Sequence, residues 1–343
     1  MVVIKDVAKL AGVSAGTVSK YLNNPLALKE STRTAVEDAI QKLNYIPNLF
    51  ARNLRVQSAR TIAVIAQEIS NPFHATIYNT IRKEALKENY SVILYSIDDV
   101  DGNLESLLAS LPLHYFSGVI ICYFHNMDLS FDFARSNPDM PIVVLNNDIK
   151  YEEIHKGFQS IYVDFASGIA AATEHLVGLG KRNIAYIGCQ TKNTLAEPKL
   201  SGFMRVMKRH NLAPHSITHL HKEYSAKTGY ESAKIVLEKA ERPDAILVDT
   251  DIMAIGVMRC LADYGIKVPE DIMLAGFDDI DFSSVYCPAL TTVHVPIKEV
   301  SVEAFHLLMD QIVNKNCDIK TVHYETNLIV RETTGGFANE KTL

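Results

Sequence analysis

The chain holds few cysteines, and none is placed to cross-link or to ligate in pairs. Cys122, Cys189, Cys260, Cys287 and Cys317 are scattered, odd in number and free of Cys-x-x-Cys spacing. Neither a disulfide framework nor a zinc site is indicated, and these residues are expected to be buried thiols. His219 and His221 alternate on an expected strand and would share one face, but no third ligand stands near, so no metal is expected. No initial apolar run reads as a signal peptide, and no apolar stretch reaches the ~20 residues of a membrane span. A cytoplasmic protein with no membrane partner is expected. There is also no Gly-x-Ser-x-Gly, no Gly-x-Gly-x-x-Gly and no metal triad, and Asp278-Asp279-Asp281 has no evident catalytic partner. Gly180 caps a helix; the local Gly-x-Gly-Lys lacks the earlier glycine and the following Ser/Thr of a phosphate-binding loop. An enzyme is not expected, nor any cofactor.

What is present is a long chain with an uneven charge. Its 343 residues, 48% of them hydrophobic, are too many for one small core and suggest two or three domains. The net charge of −6 argues against nucleic acid only if it is spread evenly. Residues 1–60 carry nine Lys/Arg against four Asp/Glu, a balance of +5, while the remainder stands at −11. The basic head attracts phosphates and the acidic body is repelled by them.

The head has its own periodicity. Asp6 is placed to cap a short helix with Val7, Ala8, Leu10 and Ala11 inward, and Gly12 to end it. Ser14 caps a second helix that packs Val18, Tyr21 and Leu22 and leaves Ala15, Gly16, Ser19 and Lys20 on the opposite face. A third helix, about 32–44, turns Ala35, Val36, Ala39, Ile40 and Leu43 inward, so three short helices enclose one core. This is helix-turn-helix geometry, whose second helix enters the DNA major groove with its N-terminal residues at base edges.

From Thr61 onward, short apolar runs alternate with helical segments. Thr61–Ala66, Ser91–Ser96, Gly118–Tyr123, Pro141–Leu145, Ser160–Val163, Asn183–Gly188, Ala245–Val248 and Ile272–Gly276 read as buried strands. Helices are expected near 73–88, 103–111, 165–179, 199–210, 226–239 and 251–264. Alternating βαβ units imply parallel sheets covered on both faces.

Asp-Val-Ala-x-x-Ala-Gly-Val-Ser-x-x-Thr-Val-Ser, starting at Asp6, is followed by Tyr45-Ile46-Pro47-Asn48, and on these motifs the chain resembles the lac repressor/gal repressor family of bacterial transcription regulators over nearly its whole length. The resemblance implies a small all-α helix-turn-helix DNA-binding domain plus an α/β periplasmic-binding-protein-like core of two doubly wound parallel-sheet lobes. The implied domains are 1–46 for the helix-turn-helix, 47–59 for a hinge helix and linker, 60–160 plus 291–320 for the N-terminal lobe, and 161–290 plus 321–343 for the C-terminal lobe. Ligands of parallel α/β sheets bind beyond the strands' carboxyl ends, which puts an effector cleft between the lobes.

On the DNA side the expected contacts are Ser14, Ala15, Gly16, Thr17, Ser19, Lys20 and Asn23, with Asn48, Ala51, Arg52, Leu54 and Arg55 in the hinge. Ala15 and Gly16 offer little hydrogen bonding, and a good bidentate base contact contributes ~1–3 kcal/mol of discrimination, so specificity leans on the hinge. Alone, so short a helix is marginal. By resemblance, two hinge helices from two subunits fold together in the minor groove and Leu54 wedges into a base step.

In the cleft, Phe73 and His74 follow the first strand at a helix N-terminus, while Asp278 matches the family carboxylate that accepts from ligand hydroxyls and Tyr224 its aromatic platform. Lys199 stands where many members carry arginine, keeping the charge and losing the bidentate fork. Asn146 and Thr250 replace residues that some sugar-responsive members use. The expectation is therefore a homodimeric repressor of carbohydrate utilisation genes on a near-palindromic operator, controlled by a sugar or sugar derivative. Complete switching needs ~5.5 kcal/mol of differential binding. The chain shows no leucine heptad after Arg331-Glu332-Thr333-Thr334, so no tetramerising tail is expected. The alternatives are a catabolite-control regulator with a phosphoprotein co-repressor, which the acidic Asp278–Ser284 run disfavours, and a plain sugar-binding protein, which leaves residues 1–56 unexplained.

Overall fold

Every residue of Thr61–Ala66 is buried, as a parallel strand covered on both faces requires. This computed structural model describes residues 2–23, 25–45, 60–66, 69–97, 104–122, 127–146, 159–189, 198–220, 224–314 and 317–336. They fall into two compact units, Met1–Ala59 and Arg60–Leu343.

In the first unit α1 (Ile4–Ala11), α2 (Ala15–Asn23) and α3 (Glu30–Lys42) bury Val7, Ala8, Val18, Val36 and Ala39 against one another. Gly12, at φ 66°, ends α1 in the left-handed region, where glycine carries no Cβ penalty. Two details depart from expectation. Val3 is the N-cap of α1, and Asp6 lies a turn in, its carboxylate accepting from the Val3 amide at 2.8 Å. Leu10 is 50% exposed, because the inward stripe of α1 runs through Ile4, Val7, Ala8 and Ala11.

The second unit contains two six-stranded sheets. The first has the order β11-β5-β4-β3-β1-β2, built from β1 (Thr61–Ala66), β2 (Ser91–Ser96), β3 (Gly118–Cys122), β4 (Ile142–Asn146), β5 (Gln159–Val163) and β11 (Thr321–Tyr324), all parallel. Alternation sorts its side chains. Ile62, Val64, Ile120 and Val143 meet α4 (Pro72–Lys87) and α12 (Ile297–Val313), while Ala63, Ile65, Val119 and Val144 meet α5 (Leu104–Ser110) and α6 (Met127–Ser136). Each fully buried Ile or Val of this kind contributes ~1.5–3 kcal/mol. Asn71 starts α4 by accepting from the Phe73 amide at 3.0 Å, with Pro72 at the first helical position.

The second sheet, β12-β10-β9-β8-β6-β7, comprises β6 (Ile184–Cys189), β7 (Ser216–Leu220), β8 (Ala245–Val248), β9 (Met273–Asp278), β10 (Thr291–His294) and an antiparallel β12 (Asn327–Ile329). One face packs against α7 (Phe165–Gly178) and α8 (Pro198–Arg209), the other against α9 (Ala226–Leu237) and α10 (Asp251–Asp263); a short α11 (Asp281–Val285) follows β9. Gly229 and Gly256 let α9 and α10 touch backbone to backbone, since a Cβ at either would overlap a carbonyl oxygen of the other helix. Where both are described, the expected strand and helix limits shift by no more than two residues; the limits expected at 103 and 123 lie outside the described residues.

The chain passes between the lobes after β5, after β10 and after β11. The lobe boundaries that the family resemblance implies therefore move. Thr291–His294 pairs with β9 and belongs to the second lobe, and Thr321–Tyr324 pairs with β5 and belongs to the first. The first sheet also keeps all of Gln159–Val163, since a strand stays in the sheet that satisfies its ladder. Among the described residues the thiols differ too. Cys122 and Cys260 are buried, Cys317 is partly buried, and Cys287 is exposed in the turn after α11.

Candidate functional site

In the first unit, Ser14 turns the chain into α2. Its hydroxyl accepts from the Thr17 amide at 3.1 Å and lies 3.0 Å from the Thr17 hydroxyl. Ser14, Gly16 and Lys20 are exposed; Thr17 and Ser19 are half-buried. Ala15 is not on the open face, because it packs against the three-helix core. The small Gly16 leaves the backbone of the first turn open to close approach, and Lys20 adds a cation one turn on. Asn23 ends the helix. The hinge positions Asn48, Ala51, Arg52, Leu54 and Arg55 lie outside the described residues, as does His221.

In the second unit all three crossings leave from the carboxyl ends of parallel strands, so the carboxyl poles of both sheets meet at the junction of the lobes. The crossings are tied together there: the Asp164 amide donates to the Tyr324 carbonyl at 3.1 Å, and the Thr326 hydroxyl to the Asp164 carbonyl at 2.9 Å. On the first lobe, Phe73 and His74 open α4, ring edge to ring face at 5.3 Å, and Asn146 ends β4; all three are buried.

The second lobe's pole is a cluster of charge. Asp278 ends β9 at φ 117°, a backbone conformation that side-chain-bearing residues rarely adopt, and is only 5% exposed. Its Oδ2 has no hydrogen-bond partner among the described residues, and neither has the Oγ1 of Thr250, also 5% exposed. Burial pushes the Asp278 carboxyl well above the usual carboxylate range; the Lys199 ammonium pulls it down, and the Asp251 and Asp249 carboxylates push it up further. Lys199 reaches in from the first turn of α8. Its Nζ donates to the Asp249 carbonyl and sits 4.0 Å from the Phe277 ring centroid and 5.2 Å from that of Phe165.

Asp251, the first residue of α10, holds this pole in shape. Its carboxylate accepts from the Ser283 and Thr292 hydroxyls, each at 2.6 Å, and from the Ile280 amide at 3.2 Å. It rests on Gly276, where any side chain would overlap it. Burial pushes the Asp251 carboxyl up, against the pull of those hydrogen bonds. Behind it, the Asp279 carboxylate accepts from Arg331 at 2.7 Å and pairs with His294 at 2.9 Å.

The structure thus gathers Lys199, Thr250 and Asp278 at one pole, and Phe73, His74 and Asn146 at the other. Tyr224 precedes Ser225, the N-cap of α9, and packs half-buried against the second lobe's core. Asp249, Asp251, Phe165 and Phe277 were not picked out from sequence. The available signal was their place directly after or at the end of a strand, which in a parallel sheet is the pole itself.

Residues 3–48 match the lacI family of bacterial regulatory proteins, and residues 173–334 match the periplasmic binding protein-like domain. A probable HTH-type transcriptional repressor ExuR of Bacillus subtilis is 31% identical over 336 residues, covering 97% of this chain and 98% of that one. The HTH-type transcriptional repressor PurR of Mannheimia succiniciproducens is 28% identical over 333 residues, covering 97% and 98%. Among solved structures, the lac repressor dimer bound to operator and the anti-inducer ONPF is similar with a TM-score of 0.77 and 27% identity, over 97% of this chain and 99% of that one.

Proposed function

The chain belongs to the lacI family of bacterial regulatory proteins, and on that premise we propose how it acts. It is a DNA-binding transcriptional repressor with a small-molecule effector. The effector is a sugar or sugar derivative held between the poles of the two lobes, and the regulated genes serve carbohydrate use. One observation carries this reading: Asp278 is buried and backbone-strained, with one carboxylate oxygen left without a hydrogen-bond partner among the described residues. Natural proteins rarely leave such a group unpaired, and two adjacent sugar hydroxyls satisfy it. Lys199 and Thr250 add a donor and a hydroxyl beside it, and Phe73, His74 and Asn146 close the opposite wall.

The protein works as a homodimer on a near-palindromic operator, with α2 of each subunit in the major groove and the paired hinges in the minor groove. A groove between α9 and α10 supports this. Tyr230, Ile255 and Tyr286 line it among the charged Lys227, Glu231, Lys234 and Arg259, and Phe282 and Val285 of α11 are more than half exposed close by in sequence. A second copy of the chain covers such a face in self-complementary fashion. The effector acts only through its differential affinity for two lobe arrangements, which set whether the hinges pair.

A thermal-shift screen of sugars on the full chain tests the assignment. A ligand at 100 times its dissociation constant stabilises by ~2.7 kcal/mol, and Asp278→Asn should abolish that shift. An undiminished shift in Asp278→Asn would put the effector elsewhere.

A further inference from the structure

We propose that Asp279 is a positioning residue for the effector carboxylate: gripped by Arg331 and His294, it holds Asp278 in the strained backbone conformation that keeps its Oδ2 for a ligand. The inference rests on the reading of Asp278 as the effector carboxylate and adds what aims it. Asp278 and Asp279 have φ of 117° and 55°, two consecutive side-chain-bearing residues at positive φ. Aspartate tolerates the left-handed well that Asp279 occupies, but the φ of Asp278 lies outside it. Such a conformation persists only where its surroundings over-determine it.

The restraints converge on Asp279 and the residue after it. Asp279 Oδ1 accepts from the Arg331 Nη2 at 2.7 Å, and Oδ2 pairs with the His294 Nδ1 at 2.9 Å. Both oxygens are therefore engaged. The Asp279 amide donates to the Thr292 hydroxyl at 3.4 Å, and the Ile280 amide to the Asp251 carboxylate at 3.2 Å. The anchors are themselves fixed. Arg331 donates a second guanidinium nitrogen to the Leu290 carbonyl at 2.9 Å and its amide to the Thr291 hydroxyl at 2.8 Å, and its side chain is only 12% exposed. A guanidinium forked between two acceptors and shielded from water holds its geometry better than an exposed ion pair. His294 is the ladder partner of Asp278 where β10 runs parallel to β9, so it grips Asp279 from beside the residue being aimed. Asp279 thus acts through Asp278 and not on the ligand.

The test compares full-length wild type with Asp279→Gly, Arg331→Met and the double variant. Glycine adopts the φ of Asp279 at no steric cost but has no carboxylate, so it separates tolerance of the turn from the grip. A crystal structure of Asp279→Gly should show Asp278 relaxed out of its strained φ; an unmoved Asp278 overturns the inference. Titration calorimetry with glucose, galactose and mannose, well below every melting point, supplies a reading that a merely structural role would not move. A sugar that binds wild type should bind Asp279→Gly and Arg331→Met about tenfold or more weakly, since a misplacement of ~1 Å can cost ~100-fold. The double variant should bind it as Asp279→Gly does, because both changes remove one link, and additive losses overturn the inference. Should Asp279→Gly not fold, Arg331→Met, which leaves Asp279 in place, takes over both readings. Where none of the three sugars binds wild type, the conformation of Asp278 alone decides. A relaxed Asp278 with undiminished sugar affinity sinks Asp278 as the effector carboxylate and leaves the grip standing. An unmoved Asp278 with weakened affinity sinks the grip and leaves the cleft standing.

Discussion

Replacing Lys199 by methionine separates what its ammonium does at the second pole. Methionine keeps the length and the apolar stem, so only the charged head is lost. One part of the loss does not depend on pH. A hydrogen bond from a charged donor is worth ~1.5–3 kcal/mol and a cation over an aromatic face ~0.5–2 kcal/mol, while the thioether recovers some contact with Phe277 and Phe165. A pH-independent cost of ~1–4 kcal/mol follows from these ranges. The other part runs through Asp278. Its carboxyl already titrates above the ordinary value because it is buried, so the native protein binds more protons than the unfolded chain there. Stability therefore falls as pH rises from the usual carboxylate range to the folded pKa, and is flat beyond it. Loss of Lys199 raises that pKa again and extends the fall to higher pH, at ~1.4 kcal/mol for each unit. Melting temperatures of the full chain from about pH 5 to about pH 9 should show the penalty growing with pH, as this linkage requires. Asp278→Asn in the Lys199→Met background should recover the pH-dependent part. A penalty equal at every pH, and additive with Asp278→Asn, would refute the charge pairing and leave Lys199 a packing residue.

Gly256→Ala should lower stability by at least ~1–3 kcal/mol, because the new methyl overlaps the Ala226 carbonyl oxygen where α9 and α10 touch; an unchanged melting point would show that the two helices do not meet this closely. Lys20→Ala should weaken binding to operator and non-operator duplexes alike and reduce the slope of log affinity against log salt by about 1 if the side chain meets phosphate. A loss confined to one operator sequence would make it a base reader. Leu54→Ala should remove discrimination between operator and other DNA while leaving sugar-induced stabilisation in place; intact discrimination in gel-shift competition would sink the hinge account.

Much of the architecture was legible because two periodicities do most of the folding. Runs such as Ile62-Ala63-Val64-Ile65 are buried on both faces, and the Ser14 and Asn71 caps sit where short polar side chains precede apolar helices. The last segments were harder. Strands β11 and β12 are four and three residues long, too short to carry a period, and their sheet membership depends on pairing with strands far away in sequence. Leu10 and Ala15 show the limit of a helical wheel with wide stripes: a shift of one position decides which side meets the core. In the cleft, Asp278 and Lys199 are legible through family likeness, whereas the φ of Asp278 and the rings under Lys199 are set by the fold alone. Asp251 reads in sequence as an ordinary acidic first-turn residue. Its partners Ser283 and Thr292 lie on α11 and β10, and only the folded sheet brings them together.

The claim that joins the two units is that a molecule in the cleft sets the hold on DNA. Fluorescence anisotropy measures it most directly, using a duplex that the full chain has selected from a random pool and the sugar found by thermal shift. In wild type, saturating sugar should change DNA affinity by a coupling of ~1–3 kcal/mol, about 5- to 150-fold. Asp278→Asn should bind the same duplex as tightly as sugar-free wild type and ignore the sugar. A sugar that stabilises wild type yet moves its DNA affinity by less than about twofold, well under that coupling range, contradicts the account.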